Sequence, residues 1–82
     1  MKVVFKNVDD KQEFINLADQ YEGMVKVNGV EATEDVINNL HTLEDVDVRI
    51  ENEHSTIGAE FVSDLMNLGL LKEGEDVNGW IG

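Results

Sequence analysis

Cysteine and proline are absent from this chain of 82 residues, basic residues are few, and no long apolar run occurs. Without cysteine, neither a disulfide nor a thiolate zinc site can support the core. The same lack points to a reducing, cytoplasmic setting. No run approaches the roughly 18 apolar residues of a membrane span. The opening stretch, Met1 to Lys6, is interrupted by charge too early for a signal peptide. Six lysines and arginines stand against eighteen acids, a formal net charge of −12. Such a surface repels phosphate backbones, which argues against direct nucleic-acid binding and leaves a protein as the expected partner. The acid excess has two readings. It can be a solubilising surface, or an acidic face that docks on a basic patch of a nucleic-acid-binding partner. In both cases self-repulsion weakens the fold at low ionic strength.

What is present reads as a single α+β domain over residues 1–71, followed by an acidic tail over 72–82. Lys2 to Lys6 is a short strand with Val3 and Phe5 on one face. Asn7-Val8-Asp9-Asp10 breaks it and offers two carboxylates but no nucleophile. Asp9 or Asp10 is the expected N-cap of a first helix, because a short carboxylate accepts bonds from the free amides of the first turn. Phe14, Leu17, Ala18 and Tyr21 recur at helical spacing; the helix is expected to run to about Glu22 and stop at Gly23. Met24 to Val27 is a second strand, and Asn28-Gly29 marks a tight hairpin to a third, Val30 to Ala32. Thr33 then caps a second helix with an apolar face of Val36, Ile37, Leu40 and Leu43. Asp45 to Asn52 alternates, with Val46, Val48 and Ile50 inward. Ser55 or Thr56 opens a third helix carrying Ile57, Phe61, Val62, Leu65 and Leu68, closed by Gly69 with Leu70 folding back. Four strands with one wet side require helices on the other, an open-faced β-sandwich of order βαββαβα with a four-stranded antiparallel sheet.

This order resembles HPr, the histidine-containing phosphocarrier of the bacterial phosphotransferase system, over Lys2 to Leu68. The likeness rests on element order, on the Asn28-Gly29 hairpin feeding directly into a short helix, and on the one-sided fourth strand. Ferredoxin-like and ACT-like βαββαβ domains share the first six elements but fit the third helix and the short second one less well. The resemblance implies a phosphocarrier whose histidine, followed by Ala-Arg-Pro, opens the first helix. That chemistry needs a nucleophilic imidazole, plus backbone amides and an arginine to hold the phosphoryl group. The matching stretch here, Asn7 to Phe14, has neither histidine nor arginine, and its Asp9, Asp10 and Glu13, beside Lys11, would repel phosphate. The resemblance therefore implies a non-catalytic relative without a cofactor, acting by binding or regulation. The family's regulatory serine, in a Lys-Ser-Ile-Met pattern, aligns with Thr33, where Glu34 and Asp35 replace apolar docking residues. Thr33 is thus either a regulatory phosphoacceptor or simply an N-cap.

Other candidates are weaker. His41 is expected to end the second helix at the same end of the sheet as the first turn, where it is a conceivable substitute acceptor. His54 reads as a loop residue at the opposite end. Asp45, Asp47, Glu51 and Glu53 lie along one strand but lack the spacing of a calcium loop. Trp80 and Ile81 in the tail are either a partner-docking anchor or a fold-back onto Met24 or the third helix.

Overall fold

Alternation in the strands decides the architecture, because it wets one sheet face and buries the other. A computed structural model describes residues 1–21 and 23–71. Glu22 and the tail 72–82, with Trp80 and Ile81, lie outside the described residues. The elements are β1 (Lys2–Val4), α1 (Val8–Gln20), β2 (Val25–Val27), β3 (Val30–Glu31), α2 (Glu34–Asn38), β4 (Asp45–Ile50) and α3 (Thr56–Leu68). The sheet is antiparallel throughout, in the order β1-β4-β2-β3. β1 and β2 therefore run parallel on either side of β4. Val3, Val25, Val27, Val46, Val48 and Ile50 are buried, while Lys2, Lys26, Asp45 and Arg49 face water. The three helices cover the inward face, giving an open-faced α+β sandwich.

Few aromatics are needed to fill so thin a core. Phe14 meets Phe5 at 5.3 Å and Phe61 at 6.4 Å between ring centroids, and Tyr21 meets Phe61 at 5.2 Å, all edge-on. Ile37, Leu65 and Leu70 complete it, each fully buried. Burial of each such side chain contributes about 1.5–3 kcal/mol. Asn28 (φ 50°) and Gly29 (φ 83°) form the expected two-residue turn between β2 and β3. Asn28 also extends the sheet: its N–H donates to the Asp47 carbonyl at 2.7 Å, and its Oδ1 accepts from the Asp47 N–H at 3.0 Å.

The helix ends show where local signals compete. Asn7, not Asp9 or Asp10, caps α1: its backbone is extended and its Oδ1 accepts from the Asp10 N–H at 2.9 Å. Asp10 instead reaches back to accept from the Lys6 N–H at 2.8 Å, so both short side chains serve one helix start. Ser55 caps α3 by accepting from the Gly58 N–H. A Cβ at Gly58 would fall on the Glu53 backbone, so this glycine lets the loop cross close under α3. At the far end, Gly69 (φ 71°) donates to Met66 and Leu70 donates to Leu65, a Schellman closure that buries Leu70. Leu71 then bridges to Val3, beside β1. α2 is shorter than the apolar spacing predicts. It ends at Asn38, and Asn39 turns its side chain back onto the Asp35 carbonyl. Leu43 consequently leaves the helix face and stands 73% exposed in a left-handed conformation (φ 66°), which costs a leucine about 1–2 kcal/mol. Ile57 and Leu68, expected on the buried face of α3, lie at its margins and are partly exposed.

Candidate functional site

The turn between β1 and α1 is already occupied by its own side chains. The amides of Lys6 and Asp10 are bonded to Asp10 and Asn7 respectively. Lys6 is exposed on this turn, whereas Lys11 is buried to 9% exposure, and its ammonium donates to the carbonyls of Asn38 and Leu40 at the C-terminal end of α2. A cation is stabilised there by the free carbonyls of the helix end. Lys11 thus fastens α2 to α1 and is not presented to a ligand. Asp9 and Glu13 are exposed on the same helix. The turn holds carboxylates, and two of its amides and the Lys11 ammonium are spent on the fold.

Thr33 lies elsewhere. Its hydroxyl accepts from the Val36 N–H at 3.3 Å and caps α2. It borders a recess shared with Ala18, Asp19, Glu31 and Glu34, beside the C-terminal turn of α1. Nine residues of helix separate Asp10 from Asp19, or about 14 Å along the axis. The structure therefore does not join the first turn and Thr33 into one site, and a phosphate on Thr33 would meet three carboxylates.

His41 is exposed and lies beyond α2, not at its end. It is at the first-turn end of the sheet: Leu40 is held by Lys11, and the Leu43 N–H donates to the Phe5 carbonyl at 2.8 Å. His54 is exposed in the β4–α3 loop, with its Nε2 3.6 Å from Glu53 Oε1. Among the described residues, no group of three or more acids and histidines is placed to hold a metal ion, so Asp45, Asp47, Glu51 and Glu53 do not converge. Also among the described residues, no helix is long and apolar enough to cross a membrane.

The charge is distributed unevenly. α1 carries Asp9, Asp10, Glu13 and Asp19, α2 carries Glu34 and Asp35, and α3 carries Glu60 and Asp64; Lys11 is the one base on these helices. The strands carry Glu31, Asp45 and Asp47 against Lys2, Lys26 and Arg49. The helical layer is acidic and, among the described residues, the outer sheet face is balanced. Tyr21 reports this field. Its hydroxyl donates to Asp64 Oδ2 at 3.0 Å. Burial, then the bond and charge of Asp64, then the charge of Glu60, push its phenol up to about 12.

No family model, curated protein or solved structure matches this chain.

Sequence reasoning did not find the Lys11 clamp, since its acceptors lie 27 and 29 residues away. Nor did it find the exposed pair Val8 and Leu43, at 72% and 73% exposure. A signal for Val8 existed: it falls between the last inward strand residue and the first inward helix residue.

Proposed function

We propose that this protein is a non-catalytic, HPr-like domain that acts by binding or regulating another protein. Its element order and open-faced sandwich support the family reading. One observation carries the functional one: the first turn has no imidazole, two of its amides bond its own side chains, and Lys11 is turned inward. A phosphoryl group would find a repelling site there, and Thr33 serves as a helix cap among acids. The test is incubation with phosphotransferase enzyme I and labelled phosphoenolpyruvate. The expected result is an unlabelled chain; stable, acid-labile label on His41 or His54 would overturn the proposal.

The segregated charge favours a second, compatible reading, in which the acidic helical layer occupies a basic surface of a nucleic-acid-binding protein. Eight acids on the helices against one buried base give that layer a strong, one-signed field. Such fields accelerate association with oppositely charged partners and make it salt-sensitive. Salt-dependent binding that disappears on neutralising helical acids supports this reading.

A further inference from the structure

We propose that Val8 and Leu43 form the apolar centre of a docking surface for a basic protein segment that presents an aliphatic side chain flanked by lysine and arginine. The inference rests on the reading that the acidic side of the domain binds a basic partner, and it names the contact. These two are the most exposed large hydrophobic side chains among the described residues. Two ties place them on one surface. The Leu43 N–H bonds the Phe5 carbonyl three residues before Val8, and Lys11 bonds the Leu40 carbonyl three residues after it. Residues 40–43 therefore run alongside the start of α1.

Leu43 is an unusual choice for its backbone. At φ 66° glycine or asparagine would avoid strain. A leucine there would be compensated by packing, yet its side chain is exposed and returns nothing to the fold. A residue that breaks a local rule without a structural gain is expected at functional or strained sites. Charge selects the occupant. Asp9 adjoins Val8, and Glu44 follows Leu43, with Lys6 the one exposed base on this turn. An apolar centre flanked by acids fits an aliphatic side chain flanked by bases. A second copy of this chain is opposed by the net charge of −12. The patch is also distinct from the start of α2, where Glu34 and Asp35 stand.

The test is titration of the isotope-labelled protein with a lysine-rich peptide bearing one central leucine, beside the same peptide with serine in its place, followed by amide NMR. The leucine peptide is expected to bind about fivefold more tightly, as burial of one aliphatic group predicts, with shifts centred on residues 6–9 and 40–45. Leu43→Asn should abolish that advantage while leaving the melting temperature unchanged or higher, and Val8→Ser should reduce it. Equal binding of the two peptides, or a leucine advantage that survives Leu43→Asn, would overturn the patch alone. Dimerisation on concentration that Leu43→Asn abolishes would overturn the choice of partner. Failure of both peptides to bind would overturn the acidic-docking reading and the patch with it.

Discussion

The outer sheet face and the helical layer are built from the same acid-rich chain, yet only the sheet balances its charge among the described residues. On the sheet, Lys2 lies opposite Asp47, and Lys26 lies between Glu31 and Arg49. Side chains in such pairs approach within about 5 Å, so opposite charges stabilise and like charges cost. The one like-charged pair, Lys26 with Arg49, is relieved because Asp47 holds the Arg49 guanidinium at 3.2 Å. The helices show the reverse. Asp9 and Glu13, and again Glu60 and Asp64, are like charges one turn apart, each pair costing a few tenths of a kcal/mol. Where geometry enforces pairing the chain obeys it, and where geometry is permissive the chain accumulates acid. The excess therefore serves the surface of the helical layer and does not serve the fold.

That contrast can be broken first at its one exception. Lys11 is the base on the helical layer, and its partners are partly buried carbonyls at the end of α2. Lys11→Ala should lower stability by about 2–3 kcal/mol, the range for losing hydrogen bonds made by a charged group. A chemical denaturation series measures it, and a loss below about 1 kcal/mol would mean that α2 is held by its apolar contacts, Ile37 with Val36 and Leu40, without the clamp. Next comes the cap. Asn7→Ala should cost about 1 kcal/mol by the same measurement, because Asp10 is committed to the Lys6 amide and cannot replace it.

The direct contrast between the faces is smaller and has opposite signs. Asp47→Asn removes the partner of Arg49 and of the Met1 ammonium, and should destabilise by about 0.5 kcal/mol. Glu13→Gln removes a like-charge neighbour and should stabilise by a few tenths of a kcal/mol at low salt. Thermal melts at about 0.01 M and 0.1 M salt compare them, as the Debye length falls from about 30 to about 10 Å. The smallest effect at neutral pH is at Tyr21, where the field of the helical layer is read by titration. Its folded pKa is raised, so the neutral phenol is favoured by folding. The associated stability is complete below the ordinary value of 10.0 and is lost as pH rises towards about 12. Tyr21→Phe should remove that alkaline decline, and an unchanged pH profile would separate Tyr21 from Asp64 and Glu60.

Much of the fold was legible because its signals are local. The Val46-Val48-Ile50 alternation, the Asn28-Gly29 turn and the Gly69-Leu70 closure each state their geometry within a few residues. Errors arose where two local signals competed or where the deciding partner was distant. Asn7, Asp9 and Asp10 are all competent caps, and the choice falls to the residue that stays extended as β1 ends. Ile37, Leu40 and Leu43 keep helical spacing, but Asn38 and Asn39 end α2 before Leu43 can join. Of the candidate site, the missing imidazole was visible at once. The inward turn of Lys11 was not, because a lysine reads as solvated until its acceptors arrive from α2.

The most direct test of the account is calorimetric titration of the lysine-rich leucine peptide into two double variants. One carries Asp9→Asn with Glu13→Gln on the helical layer, and the other carries Glu31→Gln with Asp47→Asn on the sheet. Binding about three- to tenfold weaker is expected for the helical variant, as loss of two steering charges implies, and an unchanged affinity for the sheet variant. Equal weakening in both would contradict it, because the acid would then act as a diffuse charge with no functional side.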